Sequence, residues 1–504
     1  MNMFKKNNAK ENSADKEKFM DKVKASLGTR SFKVGGYSVI ACLIVLAIAV
    51  VINIVVGALP ETATKLDTSS SGLYSLSDES KDFVKGLEQD ITIYWVVQSG
   101  NEDATIENML DRYDDLSKKL SVEKIDPDVY PTFLDQYMSG EDTVYNNSLV
   151  VESGDTFKYL AYDSIYEYDY SNYYTTGSYD VSFAGESVIT SALKYVTSGE
   201  LGNIYALTGH GEASLSGSMK TAVLNQNYQI TDLSLLTQGS VPEDADFLLI
   251  YSPASDISTD EENIILSYLQ NGGKMLLITD PQSSNSSLPN LEAVMEYYGV
   301  YKTSGLVIDS DGSYAYYNMP YALLPALNSS HDITSPLSDA GYHVLLPVAE
   351  GLTVSDSLRD NESVTKLLTT SDSAISKAAG VNLTTYDKED GDTDGPFALA
   401  VAVTETVDNG ETGIVWVSSG AIADSDTNES VSGGNEDFLI NAISWLSAEE
   451  GETAETTIHA KNLDYTYLTM SSGTVTALAM IMVIIIPLLV LAAGIIIVVR
   501  RRRR

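Results

Sequence analysis

The fold is decided by residues 203–212, NIYALTGHGE, where a short apolar strand pattern runs directly into a polar turn flanked by glycines. A strand, such a turn and then a helical stretch are typical of the first unit of an α/β sheet. Downstream, residues 247–251 (FLLIY) and 275–279 (MLLIT) are continuous apolar runs, the pattern of parallel strands covered on both faces. The sequence therefore predicts a doubly wound parallel sheet of the flavodoxin or amidotransferase type.

The predicted sheet is not continuous in sequence. Residues 203–299 carry its first strands and helices, and residues 397–450 carry two further apolar strands and a closing helix that complete it. Between them, residues 300–396 show weaker hydrophobic patterning. We expect this middle stretch to be a loop-rich insertion that leans towards β structure.

A smaller α/β domain is predicted upstream, over residues 61–200. Its elements read helix, strand, helix, strand, β-hairpin and helix, which is the order of a thioredoxin-like layer. The chain has a single cysteine, Cys42, which lies outside this domain. Redox chemistry of the Cys-x-x-Cys kind and a disulfide framework are therefore excluded.

Two uncharged apolar runs enclose these domains, at residues 34–57 and 474–499. A helix needs about 20 apolar residues to cross the hydrocarbon core of a bilayer. Both runs are longer, so we expect each to be a transmembrane helix. The first run is too long for the apolar part of a cleaved signal peptide, and a 33-residue tail precedes it.

Basic residues lie outside both apolar runs. Residues 1–33 hold nine Lys/Arg against four Asp/Glu, and residues 500–504 are all arginine. Because positive flanks stay in the cytoplasm, both termini are expected there. Residues 59–472 are then expected to lie outside the cell (inner or plasma) membrane, with the Arg cluster near anionic lipid head groups.

Charge and composition exclude other classes. The formal net charge of −39 argues against a nucleic-acid-binding protein, which needs a basic face. Hydrophobic residues make up 44% of the chain, so wholesale disorder is excluded. The sequence contains no Walker A motif, and it predicts no cofactor.

The strongest candidate site is the turn Gly209, His210, Gly211 and Glu212. It follows a buried strand, and open α/β sheets bind ligands at the carboxyl ends of their strands. His210 and Glu212 could act as base and acid or as two metal ligands. Alternatively, both side chains hydrogen-bond to the backbone and fix a tight turn. No G-x-S-x-G motif or strand-end cysteine supplies a nucleophile, so we expect a binding or structural role and no enzymatic activity.

A second candidate is a tyrosine-rich stretch containing Tyr168, Tyr170, Tyr173 and Tyr174. Rings at this density can form a stacking surface for sugars or a protein interface. Equally, they could belong to a long surface loop that packs on the neighbouring sheet.

Metal sites have weak support. The other histidines lack zinc-site spacing. Residues 390–395, DGDTDG, copy the first half of a calcium loop and make Asp390, Asp392 and Asp394 weak calcium candidates. The twelfth position of that loop is Val401 and not glutamate, so an EF-hand is excluded.

Several segments in one order resemble a known family. They are LYSLS at 73–77, KIDPD at 124–128, NSLVVESG at 147–154, FAGESVITSAL at 183–193 and YALTGHGE at 205–212. Together with the two terminal apolar runs, they resemble the GldG family of gliding-motility-type ABC transporter auxiliary proteins. The resemblance runs from about residue 66 to residue 281 and implies no catalytic residues.

The resemblance implies a membrane-anchored subunit that works beside a separate ABC permease and a separate ABC ATPase. The residues leave two other functions open. One is an ectodomain that binds cell-wall polysaccharide or a cationic peptide. The other is a divergent amidotransferase-like hydrolase centred on His210 and Glu212.

Overall fold

The computed structural model describes residues 72–463, except 74, 139–144, 170–179, 282–286, 449–457 and 459. It also describes scattered helical positions within residues 43–54 and 492–500. Most of both predicted transmembrane runs therefore lies outside the described residues. Among the positions that are described, no helix has the length and hydropathy needed to cross a bilayer.

The first domain is a small α/β layer. Its elements are α1 (Asp78–Lys85), β1 (Ile91–Val96), α2 (Ala104–Leu116), β2 (Leu120–Ile125), β3 (Ser148–Ser153), β4 (Thr156–Leu160), α3 (Tyr162–Ile165), β5 (Tyr166–Asp169), β6 (Asp180–Phe183) and α4 (Gly185–Ser198). Its main sheet has the order β2-β1-β3-β4, with β1 parallel to β2 and antiparallel to β3. The predicted β-hairpin is present as β3 and β4, which pair antiparallel.

Helices α2 and α4 cover one face of that sheet. Ile106 and Leu110 of α2 and Ile189 and Leu193 of α4 are all fully buried in the first-domain core. Asp103 starts α2 by accepting hydrogen bonds from the backbone N–H groups of residues 105 and 106, which satisfies donors that the first helical turn leaves open. Capping and an apolar stripe together explain why this stretch is helical.

The second domain contains the larger sheet. Its elements up to the last helix of the first half are β7 (Gly202–Leu207), α5 (Gly217–Asn225), β8 (Tyr228–Leu233), α6 (Leu235–Gln238), β9 (Phe247–Tyr251), α7 (Thr259–Gln270), β10 (Lys274–Ile278) and α8 (Pro289–Tyr297). Those that follow are β11 (Val300–Thr303), β12 (Leu306–Ile308), β13 (Ala322–Leu323), β14 (Ala326–Leu327), α9 (Ser335–Ala340), β15 (Leu346–Pro347), β16 (Gly351–Val354), β17 (Glu362–Thr369), β18 (Ile375–Lys377), β19 (Thr393–Asp394), β20 (Ala398–Val407), β21 (Gly410–Val417), α10 (Ser425–Glu429), α11 (Gly434–Ser447) and β22 (Lys461–Asn462).

The sheet of this domain is mixed. Its path is β11-β16-β20-β21-β10-β9-β7-β8. Strands β8, β7, β9, β10 and β21 are mutually parallel, whereas β20 runs antiparallel to β21. An α/β architecture is thus confirmed. The purely parallel sheet that we expected is wrong, because the sheet becomes antiparallel at β20. Apolar runs reveal that a strand is buried on both faces, but not its direction.

Residues 300–396, the predicted β-leaning insertion, contribute strands to the large sheet. Strands β11 and β16 lie at one end of the large sheet, and β17 pairs with β20 and β14. Several of these strands have only two to four residues. Strands this short give almost no periodic signal, which is why the hydrophobic patterning of this stretch is weak.

Helices cover both faces of the large sheet. Met219 and Val223 of α5 pack with Phe438 and Leu446 of α11 on one face. On the other face, α7 and α8 contribute Ile265, Leu269, Leu291 and Val294. The carboxyl ends of β7, β9, β10 and β21 therefore share one edge, and the candidate turn lies on it.

Candidate functional site

The candidate turn lies where the strand order of the parallel sheet reverses. The chain enters at β7, adds β8 on one side, and then crosses to β9 on the other side of β7. Ligands of open α/β sheets bind in the crevice at such a point. Here the crevice is bordered by residues 208–212 after β7 and residues 252–255 after β9.

His210 is buried between two carboxylates. Its ring Nδ1 lies 3.0 Å from Oε1 of Glu212, and its Nε2 lies 3.1 Å from Oε2 of Glu261. The side chain is only 7% exposed. Both ring nitrogens are therefore engaged within the protein.

Glu212 also holds the backbone of the turn. Its Oε2 accepts a hydrogen bond of 2.9 Å from the backbone N–H of His210. Gly209 and Gly211 have φ angles of 122° and 75°, which glycine adopts without the strain of a side chain. A Cβ on Gly211 would lie 3.1 Å from the Cβ of Ala254. The predicted glycine–histidine–glutamate turn is thus a closed, internally bonded unit.

Glu261 is the partner that sequence reasoning missed. It lies in the first turn of α7 and forms a capping box with Ser258, whose backbone N–H and hydroxyl donate to Oε2 at 2.9 and 2.8 Å. Burial would raise the pKa of this carboxyl, but the hydrogen bonds from Ser258 and the interaction with His210 outweigh burial and lower the pKa below its ordinary value. A capping box was readable in the sequence, but its link to a histidine 51 residues away was not.

The crevice between the two loops is bridged by hydrogen bonds. The carbonyl oxygen of His210 accepts from the backbone N–H groups of Ala254 and Ser255, at 3.0 and 2.9 Å. The hydroxyl of Ser255 donates to the same oxygen at 3.1 Å. Ala213 N–H donates to the Tyr251 carbonyl, 2.9 Å away. These hydrogen bonds tie the two loops together, and both ring nitrogens of His210 already face carboxylates.

A second polar cluster lies further along the same edge, and sequence reasoning did not single it out. Ser252 has a φ of 47° and a buried hydroxyl oxygen without a hydrogen-bond partner among the described residues. Asp280 Oδ1 accepts from the backbone N–H of Gly420 at 2.7 Å, and the Tyr251 hydroxyl donates to the Gly420 carbonyl at 3.0 Å. The Asp-Pro pair after β10 was the only signal for this cluster in the sequence.

Two carboxylates of the candidate calcium loop already bind lysines. Asp392 Oδ2 lies 2.7 Å from the Nζ of Lys377, whose side chain is fully buried, and Asp394 Oδ1 lies 2.5 Å from the Nζ of Lys388. Asp392 also accepts hydrogen bonds from two backbone N–H groups. In the part of the chain that the structure describes, no group of three or more His, Cys, Asp or Glu side chains is arranged to hold a metal ion.

The tyrosine candidates lie largely beyond the described residues. Tyr168 lies in β5, where it pairs with Val181 of β6, but its side chain is outside the described set. Tyr170, Tyr173 and Tyr174 fall wholly in the undescribed residues 170–179. A stacking surface at these tyrosines stays a prediction.

Comparison with known families gives a match that covers the second domain. Residues 202–467, just over half of the chain, match the family described as "ABC-type uncharacterized transport system". The chain belongs to this family. Residues 70–162 match a domain of unknown function, DUF7088. No curated protein matches the sequence.

Two solved structures overlap about half of the chain. One is an "mmIFT52 N-terminal domain", 14% identical, which covers 49% of this chain and 99% of that chain with a TM-score of 0.37. The other is a candidate GMP synthase component from Thermoplasma acidophilum, 9% identical, which covers 49% of this chain and 94% of that chain with a TM-score of 0.25. TM-scores this low carry no argument about function. Membership of the transport-system family indicates a transport-associated auxiliary role.

Proposed function

We propose that this protein is a membrane-anchored extracytoplasmic auxiliary subunit of an ABC-type transport system, and that it catalyses no reaction itself. It would work with a separate permease and a separate ATPase. The family match over residues 202–467 carries the proposal. The absence of a Walker A motif from the sequence fits a division of labour in which another chain hydrolyses ATP.

The geometry of the candidate turn supports a non-catalytic role. A hydrolase centred on His210 would need one ring nitrogen free to accept a proton from a nucleophile. In this protein, Nδ1 and Nε2 both face carboxylates. The turn is therefore better suited to hold the edge of the sheet in one shape than to perform acid–base chemistry.

The finer parts of the proposal rest on sequence. The five segments from residue 73 to residue 212 favour the GldG-type branch of auxiliary proteins. The uncharged runs at 34–57 and 474–499, each bordered by basic residues, favour two anchors with both termini in the cytoplasm.

Co-purification tests the partnership. The full-length chain would be tagged, solubilised from native membranes after mild cross-linking, and its partners identified by mass spectrometry. We expect one permease and one ATPase of the ABC class to be recovered in constant ratio. An unrelated protein with two membrane anchors, tagged in the same way, serves as the control. Recovery of the chain without either ABC component would contradict the proposal.

Cysteine labelling on intact cells tests the topology separately. In a Cys42→Ser background, we would introduce Ser13→Cys in the basic tail and Ser218→Cys in the second domain. A membrane-impermeant maleimide should label position 218 and spare position 13 until the membrane is permeabilised. Labelling of position 13 but not of position 218 on intact cells would show that the orientation is the opposite of the one proposed.

A further inference from the structure

The chain segments that lead to the two apolar runs meet at one buried carboxylate. Glu186, at the start of α4, has a side chain only 2% exposed. Its Oε1 accepts a 2.6 Å hydrogen bond from the backbone N–H of Ser77, and its Oε2 lies 2.6 Å from the Nζ of Lys461. Lys461 also donates to the carbonyl of Ser75, 386 residues away in sequence. Glu186 thus fastens both flanking segments to the first domain.

Residues 460–463, which we call the strap, are part of the first domain by their contacts. Lys461 and Asn462 form β22, which pairs antiparallel with Phe183 and Ser182 of β6. Leu463 N–H donates to the Val181 carbonyl at 2.9 Å, and its side chain packs against the first-domain core. The family match assigns this stretch to the second-domain region, up to residue 467. The second domain is therefore inserted between two pieces of the first.

The strap borders a cleft between the two domains. This cleft has a volume of about 530 Å³, and Ala460 lines it together with Ser182 and Ala184 of the first domain. Ala222 of α5 and Ile440 of α11 line it from the second domain. A volume of this size lies in the range of ligand-binding clefts, about 300–1,000 Å³.

The other boundary of the cleft is a direct joint between the domains. Asn227 donates from its side-chain amide to the Ser191 carbonyl at 2.8 Å, and its Oδ1 accepts a 2.6 Å hydrogen bond from Lys158. The Ser191 hydroxyl donates to the carbonyl of Asn225. Gln226, between these residues, lines both the large cleft and an adjoining cavity of about 300 Å³. The cleft is thus held by this joint on one side and by the strap on the other.

The ion pair that holds the strap depends on a single lysine. Burial would raise the pKa of Glu186, but Lys461 and the hydrogen bonds from Ser77 lower it below its ordinary value. Without Lys461, a charged carboxylate would remain in a site closed to water, which is strongly unfavourable. Loss of this one contact should therefore loosen the strap more than loss of an exposed ion pair, which contributes little.

We propose that the strap is a latch, and that breaking the contact between Glu186 and Lys461 frees the C-terminal segment and opens the cleft between the two domains. A displacement of the segment that continues to the second apolar run would then be converted into access to the cleft. The latch stands on contacts within the described residues. Only the source of the displacement, movement of the membrane anchors, rests on the proposed function.

The test measures access to the cleft in the full-length chain purified in detergent. In a Cys42→Ser background, Ala222→Cys places a single reporter thiol on the cleft wall. We expect Lys461→Met and, independently, Glu186→Gln to raise its rate of maleimide labelling by on the order of tenfold, because local opening becomes easier. Lys119→Met, which removes an exposed ion pair with Asp90 on the same domain, should leave the rate unchanged.

A cross-link provides a measurement that does not depend on whether those variants fold. Ser182→Cys and Asn462→Cys replace residues that are paired across β6 and β22, so oxidation should join them. The joined chain should label no faster at position 222 than the parent, and reductant should abolish any further protection. Failure of this pair to cross-link, or labelling at position 222 that is the same in all variants, would overturn the latch. Neither outcome depends on an ABC partner or on the orientation in the membrane.

Discussion

His210 Nε2 and Glu261 Oε2 lie 3.1 Å apart, which joins the turn after β7 to the first turn of α7. The same Oε2 accepts the backbone and hydroxyl hydrogen bonds of Ser258. One carboxylate oxygen therefore completes a helix cap and a histidine contact together. Because both groups converge on it, Glu261 links the start of α7 to the turn that the sequence pattern suggested.

Replacing Glu261 by glutamine should lower the free energy of unfolding by about 1–3 kcal/mol, the range for a buried hydrogen-bonding group left poorly satisfied. An uncharged amide oxygen in the place of Oε2 would accept more weakly from Ser258 and His210. The amide NH2 would replace Oε1, which is buried and has no hydrogen-bond partner among the described residues. Urea unfolding followed by fluorescence would measure the change.

Asp260→Asn is the matched control for that substitution. Asp260 lies in the same helical turn and makes the same carboxylate-to-amide change, but it is exposed. Its effect should stay below about 0.5 kcal/mol, as for most surface substitutions. Equal effects of the two substitutions would show that charge at the helix start matters, and that the contact with His210 does not.

The parts of the fold that were predictable are those with long, uniform patterns. Strand β9 and residues 275–278 of β10 are apolar runs that are almost fully buried, so burial in a sheet could be predicted directly. The direction of a strand could not be predicted, because β20 and β21 also contain apolar runs and yet run antiparallel to each other. Strands such as β11, with four residues, are stabilised by the neighbours that they pair with and carry little signal of their own.

The candidate site was predictable in part for a similar reason. The turn around His210 is local in sequence, so its position at a strand end and the role of Glu212 could be inferred from spacing. Glu261, Ser252 and Gly420 reach the same edge only through the sheet order β21-β10-β9-β7. Contacts between residues far apart in sequence depend on topology, which one sequence does not specify.

Gly420→Ala tests the second polar cluster. A Cβ at this position would overlap both the Ser252 hydroxyl and the Asp280 carboxylate, so we expect destabilisation of about 1–3 kcal/mol from overpacking. The midpoint of thermal unfolding would report it. Gly217→Ala is the control, because a Cβ there meets nothing within 4 Å. If Gly420→Ala leaves the unfolding midpoint unchanged, the neighbouring side chains can move to make room, and the close approach has no structural importance.

The loop around Asp392 should contribute acid-sensitive stability. The ion pair with Lys377 and backbone hydrogen bonds lower the pKa of Asp392 to about 2, from an ordinary value of 3.8. A carboxyl group whose pKa is lowered by folding stabilises the folded state at pH values above its pKa in the unfolded chain. That contribution is lost as the pH falls from about 4 to about 2. Asp392→Asn should therefore destabilise the protein at neutral pH, and its difference from the parent should shrink across this window.

Unfolding midpoints measured between pH 2 and pH 7 would show the convergence of those two curves. Asp390→Asn, an exposed neighbour in the same loop, should run parallel to the parent throughout. Calcium provides a second readout. Because lysines occupy Asp392 and Asp394, millimolar CaCl₂ should leave the parent midpoint unchanged, and a clear increase would revive the calcium site.

Lys158 should give the joint between the domains the opposite dependence on pH. Burial lowers the pKa of its ammonium group from 10.5 to about 8, and the partner of its Nζ is the neutral Oδ1 of Asn227. Between pH 8 and pH 10.5 the unfolded chain binds more protons than the folded chain, so stability should rise with pH by up to about 3 kcal/mol. Lys158→Met has no titrating group at this position, so its stability should change less with pH over the same interval. Stability profiles of the two proteins from pH 7 to pH 10.5, with Lys119→Met as an exposed-lysine control, would decide it. Parallel profiles would show that Lys158 remains solvated and that its contact with Asn227 does not bury the charge.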